Sequence, residues 1–143
     1  MTSPRVLNHQ VRVFVFRFEN ESPSFLLLRQ QPRTENELGP IRGPVAVDEH
    51  LQDAVIREVR EETGLWRPAH LIDLEQTTTF MLGNEGLVQW PFGYEAPAPD
   101  AREIKPGPTV CESIWVPFEH AFETLATPED RSALVRLRVL LAG

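Results

Sequence analysis

Three glutamates, Glu58, Glu61 and Glu62, crowd one short stretch of the chain, with Arg57 and Glu49 close before them. From Leu51 onward this stretch reads as a helix, because Leu51, Val55 and Val59 recur four apart and make one apolar stripe. Gly64 stands where a helix C-cap takes a left-handed residue, so the helix is expected to end near Thr63. On that helix the three glutamates are spaced i, i+3 and i+4 and share a face. Like charges at this spacing repel by a few tenths of a kcal/mol per pair, roughly, so a cation should offset them. Arg57 and Arg60 could be enough, leaving an acidic solvated face. A hard divalent cation is the other solution, since Mg²⁺ takes oxygen ligands and is held by a few carboxylates together with substrate phosphates. Spacing alone leaves both open.

The wider stretch from Gly43 to Leu65 resembles the Nudix box, Gly-x5-Glu-x7-Arg-Glu-U-x-Glu-Glu-x-Gly-U with U apolar. Gly43, Glu49, Arg57, Glu58, Glu61, Glu62 and Gly64 fill the fixed places, and Val59 and Leu65 the apolar ones. At ordinary residue frequencies such a match arises by chance in about one random chain of this length per million. The resemblance is to the Nudix hydrolases, which cleave nucleoside diphosphates linked to another moiety.

What the resemblance implies can be carried over residue by residue. Glu58, Glu61 and Glu62 would bind the catalytic divalent ion, Mg²⁺ with Mn²⁺ as a substitute. Arg57 would orient a box glutamate, with Glu49 as its partner, and the backbone carbonyl of Arg42 would be a further ligand. Gly43 would permit the turn before the helix. Many members carry Gly-Gly-x-x-Glu-x-Gly-Glu here, whereas this chain has Arg42, Ala46 and Asp48 at three of those places. The general base differs among members, some using a helix glutamate and others a glutamate on a later loop. The loop position, six before Trp115, is Thr109, which cannot serve. A helix carboxylate, Glu61, is therefore the expected base, with Glu103 in a Pro-rich segment as the alternative and Glu112 read as pairing with an arginine. Arg29, Arg42, Phe80 and Glu103 are the candidate substrate contacts. Phe80, Trp90, Phe92 and Tyr94 could reach a base, although strand aromatics more often pack in a core.

Composition fits one domain, residues 1–143, long enough to bury a real core. No apolar run approaches the ~20 residues that cross a membrane. The N-terminal stretch does not read as a signal peptide, because Arg12 and Arg17 interrupt the apolar run from Val11 to Phe18. The single cysteine, Cys111, has no internal disulfide partner, which suits a reducing cytoplasm, and it reads as a packed thiol rather than a nucleophile. A net charge of −7 argues against general nucleic-acid binding, which needs clustered Lys and Arg. It leaves room for a small phosphorylated substrate, because a bound divalent ion would reverse the local field.

Residues 10–18 and 25–29, rich in β-branched and aromatic types, are expected as a strand hairpin closed by a turn at 19–24. Residues 31–44 hold Pro32, Gly39, Pro40 and Pro44, cannot be regular for long, and lead into the box. After the box, strands are expected at 70–74, 77–82 and 87–94, with a turn at Gly83-Asn84-Glu85-Gly86. A long Pro-rich loop follows at 96–108, then a short strand at 113–116 and a short helix at 118–125. Thr127 reads as the N-cap of a last helix that starts at Pro128 and runs to Leu141. The class is α/β, and the family fold would make it an α/β/α sandwich. The opening Val11 to Arg17, the run Phe25 to Arg29 and Trp115-Val116-Pro117 also look like the dATP and dihydroneopterin triphosphate pyrophosphohydrolase subgroup.

The expected function is hydrolysis of the diphosphate linkage of a nucleoside triphosphate or other nucleoside diphosphate derivative, by attack of water at phosphorus. Two alternatives stand beside it. One is a nucleotide-binding or regulatory module without turnover, disfavoured because the box acids are all kept. The other is a diphosphate isomerase-like enzyme, for which the sequence offers no support outside the box. Dimers are frequent in the family, so a homodimer is one state the resemblance allows.

Overall fold

The computed structural model describes residues 6–31, 37–98 and 104–142. In chain order it holds β1 (Val6–Glu19), β2 (Ser22–Gln30), β3 (Ile41–Pro44), α1 (Leu51–Thr63) and β4 (His70–Asp73). There follow β5 (Thr78–Leu82), β6 (Glu85–Glu95), β7 (Val110–Pro117), α2 (Phe118–Thr124) and α3 (Pro128–Ala142). The seven strands form one mixed sheet, ordered β4-β6-β1-β2-β7, with β3 added to β1 and β5 to β6. β1 and β2 are the expected antiparallel hairpin, and β1 runs parallel to β6 along eleven paired positions from Val6↔Glu85 to Phe16↔Glu95.

The run of apolar residues in β1 divides by parity because successive side chains leave opposite faces of a strand. Val11, Val13 and Val15 join Leu26 and Leu28 under Val55 and Val59 of α1, while Phe14 and Phe16 join Phe25 and Leu27 under Leu134 and Leu137 of α3. A strand buried on both faces reads as an unbroken apolar run, which is what residues 25–28 are. Two cores on the two faces of one sheet make the α/β/α sandwich. Thr127 caps α3 as its type suggests, its hydroxyl accepting the Asp130 N–H at 3.2 Å.

One expectation gains detail and one changes. Residues 31–44 cannot be regular for long, and their regular part is a short strand, Ile41–Pro44, paired from Val13↔Ile41 to Gln10↔Pro44. The prolines bracket it without breaking a central ladder, since β3 joins the sheet through β1 and edge strands tolerate proline. Cys111, expected to be packed, is exposed. The β2–β7 register steps from Arg29↔Glu112 to Gln30↔Val110, so Cys111 is the extra residue of a bulge and falls outside the pairing. A third feature explains why β4 and β5 are separate. Pro91 of β6 has no N–H to give, and the neighbouring chain leaves the ladder opposite it, between Asp73↔Phe92 and Thr78↔Gln89.

Candidate active site

α1 carries the three glutamates on a helix that obeys its local signals. Gly64 closes it in the left-handed conformation (φ 78°), its N–H donating to the Arg60 carbonyl at 2.9 Å. Glu58 and Glu62 fall on the same side as Val55 and Val59 and are nearly buried, at 5% and 6% exposure. Glu61 lies at the rim, its side chain 54% exposed. One oxygen from each of the three lies within 4.8 Å of the others. The shared face inferred from the spacing is therefore a real cluster, and two of its charges are out of water.

β3 brings the backbone against this cluster. A Cβ placed on Gly43 would lie 2.0 Å from Cδ of Glu58, so only glycine leaves the carboxylate its place. The loop from β3 to α1 is held by one arginine. The Arg57 guanidinium donates to both oxygens of Glu49, at 2.8 Å and 3.0 Å, to Glu58 Oε1 at 2.7 Å and to the Pro44 carbonyl at 2.8 Å. The Ala46 N–H donates to Glu49 Oε1 at 2.9 Å. Asp48, standing where many family members have glycine, takes the left-handed conformation (φ 65°) that Asp tolerates better than most residues.

The electrostatics follow from these contacts. The Arg57 hydrogen bond, helped by the Ala46 N–H, pulls the Glu49 carboxyl from 4.5 down to about 2. Glu49 and Glu58 hold Arg57 firmly protonated. Burial pushes Glu58 up and the neighbouring Glu61 and Glu62 add to it, against the downward pull of Arg57. Arg57 neutralises one charge of the cluster and leaves an all-oxygen donor set with excess negative charge. That composition fits a hard divalent cation.

Other residues singled out in the sequence fall in different places. Arg42 lies on β3 with its carbonyl facing Gln30, whose Nε2 donates to it at 3.2 Å. Its side chain lines a cavity of about 150 Å³ on the other face of the sheet, with Arg12, Leu38, Phe80, Gln89 and Asp130 among the walls. Phe80 is 40% exposed there, whereas Phe92 and Tyr94 are in the core beneath α1 and Trp90 packs at its margin. Arg29 pairs with Glu112 at 3.5 Å, as read for Glu112. Glu103 lies outside the described residues.

Sequence reasoning overlooked Gln30 and dismissed Thr109. The Thr109 hydroxyl donates to Glu62 Oε2 at 2.6 Å, and Gln30 Nε2 reaches the same oxygen at 3.3 Å. No motif marks either residue, although Thr109 occupies the place where some members of the family carry a loop glutamate.

The family model for the NUDIX domain matches residues 8–137. The chain belongs to the NUDIX family. As a member that keeps every fixed residue of the box, it is classed with the hydrolases of that family. Solved structures agree on the fold. The Ap4A hydrolase of C. elegans, in a binary complex, is 20% identical at a TM-score of 0.74, with 95% of this chain and 98% of that one covered. The dihydroneopterin triphosphate pyrophosphohydrolase of E. coli is 18% identical at a TM-score of 0.76, covering 95% and 99%. The NUDIX domain of Shewanella oneidensis NrtR, complexed with ADP ribose, is 16% identical at 0.76, covering 98% and 90%. The comparison with curated proteins finds no match. Among the described residues, no helix is long and apolar enough to cross a membrane.

Proposed function

We propose that this NUDIX chain is a divalent-metal-dependent pyrophosphohydrolase of nucleotides, acting as one domain. The observation that carries the proposal is the carboxylate cluster of Glu58, Glu61 and Glu62, wedged against Gly43 and steadied by Arg57. Glu58, Glu61, Glu62 and the Arg42 carbonyl are the groups that would hold Mg²⁺, or Mn²⁺ in its place. Such an ion neutralises phosphate charge and lowers the pKa of an attacking water. Charge stabilisation and positioning dominate phosphoryl transfer, so a cluster of carboxylates is sufficient protein equipment.

The chain's own part is positional. Arg57 and Glu49 hold Glu58 and the loop before α1 in place. Glu61, the one carboxylate of the three at the rim, accepts the proton as water oxygen bonds to phosphorus and the bridging P–O bond breaks, the phosphate leaving group keeping the electron pair. The cavity lined by Arg12, Arg42 and Phe80 is on the other face of the sheet, at the residue of β3 next to Gly43, and we propose it as the candidate seat for the organic part of the substrate, with Phe80 and Arg42 as its contacts. Arg29 and, outside the described residues, Glu103 remain candidate substrate contacts. The strand and Trp-Val-Pro resemblances favour a triphosphate substrate of the dATP or dihydroneopterin type, and the single exposed thiol of Cys111 suits a reducing cytoplasm.

The test is phosphate or pyrophosphate release from a panel of nucleoside triphosphates and diphosphate-linked nucleotides. Turnover of at least one member with Mg²⁺ or Mn²⁺, abolished by EDTA, is the expected result. Undiminished turnover in EDTA would overturn the metal reading. Tight nucleotide binding without turnover would favour the regulatory alternative, which retention of all the box acids argues against.

A further inference from the structure

We infer that Gln30 and Thr109 are positioning residues for Glu62 and the Arg42 carbonyl, forming a neutral clamp opposite the charged one that Arg57 makes on Glu58. The inference rests on the proposed metal site and concerns residues outside the box.

The two clamps divide the cluster between them. Glu58 is held by Arg57, a cation. Glu62 is as buried as Glu58, yet the side chains bonded to it are an amide and a hydroxyl. Both donors converge on Oε2, so Oε1 has no hydrogen bond among the described residues and keeps both its lone pairs. Neutral donors fix the carboxylate without cancelling its charge, which leaves that charge for a cation.

Gln30 also fixes a second candidate ligand. Its Oε1 accepts the Arg42 N–H at 2.9 Å while its Nε2 donates to the Arg42 carbonyl at 3.2 Å. One amide thus grips the peptide groups of Arg42 as a strand neighbour would. The pairing allows only this orientation of the amide, because the backbone N–H needs the oxygen and the carbonyl needs the NH₂. Nε2 then joins the Arg42 carbonyl to Glu62 Oε2 through a single nitrogen.

The fold builds both positions deliberately. The bulge at Cys111 shifts the β2–β7 register by one residue, so Gln30 pairs with Val110, the residue next to Thr109, and bulges are common beside functional sites. Thr109 arrives on a segment strapped to the end of α1. Lys105 N–H donates to the Thr63 carbonyl at 2.7 Å, and Gly107 N–H donates to the Glu62 carbonyl at 3.2 Å. A Cβ on Gly107 would lie 2.2 Å from the Glu61 carbonyl oxygen, so glycine permits this approach. The Thr109 carbonyl in turn accepts the Gln31 N–H at 2.7 Å, locking the segment to the end of β2. Two elements distant in sequence therefore place two neutral donors on one carboxylate oxygen.

Mn²⁺ binding followed by electron paramagnetic resonance, on wild type and on Thr109→Val, Gln30→Met and Thr109→Ser, tests the assignment. Thr109→Val keeps shape and removes the donor; Thr109→Ser keeps the donor. Loss of groups that orient metal ligands weakens affinity by about 10–100-fold. The expected result is a Kd for Mn²⁺ raised at least about tenfold in Thr109→Val and Gln30→Met, and held within about threefold of wild type in Thr109→Ser, with circular dichroism unchanged. In turnover, kcat should fall in the first two and recover in Thr109→Ser. Wild-type affinity in both Thr109→Val and Gln30→Met overturns the assignment while leaving the metal site standing. A wild type that binds no Mn²⁺ overturns the metal site and the clamp together. If Thr109→Val fails to fold, Gln30→Met decides alone.

Discussion

At the scale of single residues, the site is a set of like charges that the surroundings make tolerable. Glu58 is held where water is scarce and its ionised form is disfavoured by burial, with Arg57 offsetting part of the cost. Burying such a carboxylate costs stability, and the cation of the proposed metal site would offset that cost. Glu58→Gln, Glu61→Gln and Glu62→Gln should each lower kcat at least tenfold, about 1.4 kcal/mol of barrier, under saturating Mg²⁺. Steady-state kinetics on the purified variants decide this, and a triple variant with normal turnover would remove the cluster from the chemistry. Loss of a general base costs ~10²–10⁴ in rate. Glu61→Gln should therefore fall by more than tenfold while Glu103→Gln stays within tenfold of wild type. The reverse pattern would move the base to the loop.

At the scale of elements, the critical joint is the segment from Pro44 to His50, which links β3 to α1. Its shape depends on Glu49 gathering the Arg57 guanidinium and the Ala46 N–H, on Asp48 accepting a left-handed backbone, and on Gly43 leaving room for Glu58. The Glu49 carboxyl falls to about 2 from 4.5, so this joint stabilises the native state above pH ~4.5, where the unfolded glutamate is also ionised. That contribution is lost as pH falls from about 4.5 toward 2 and the folded carboxylate takes up its proton. Thermal unfolding in a chelator should show Glu49→Gln melting below wild type at pH 7, with the gap closing as pH approaches 2. A gap that is constant with pH would mean that Glu49 acts through packing rather than charge.

At the scale of the whole molecule, two faces of one sheet are joined to different helices, and one polar contact crosses the second core. Arg12 of β1 donates through Nε to Asp130 of α3 at 2.7 Å and pairs through Nη2 with the other carboxylate oxygen, both side chains 8% exposed. Gln10 accepts from Arg12 and from Gln89, extending the network along the sheet. Removing one partner of a buried ion pair strands the other charge and costs about 3–5 kcal/mol. At roughly 2–4 °C per kcal/mol for a domain near this size, Asp130→Ala should lower Tm by more than about 5 °C. Calorimetry that showed no change would mean that water replaces the lost partner. Because the same pair walls the cavity beside Phe80, the variant should also raise KM.

What local chemistry and periodicity encode could be read directly from the residues. The box residues from Gly43 to Leu65 were legible because helical spacing places carboxylates on one face whatever the tertiary setting, and because Gly64 and Thr127 cap helices by conformation and hydroxyl alone. The β1–β2 hairpin was legible for the same reason, its period and turn lying in adjacent residues. Contacts made by unrelated segments were decided only in three dimensions. Ile41–Pro44 is a strand because β1 offers it an edge, which its prolines do not reveal. Cys111 is exposed because a bulge expels it, although a lone cysteine usually packs. Gln30 and Thr109 meet Glu62 across 32 and 47 positions of chain. A glutamine at a strand end and a threonine in a Pro-rich segment carry no periodic signal, and only the sheet that folds β2 and β7 together gives them a common oxygen to bind.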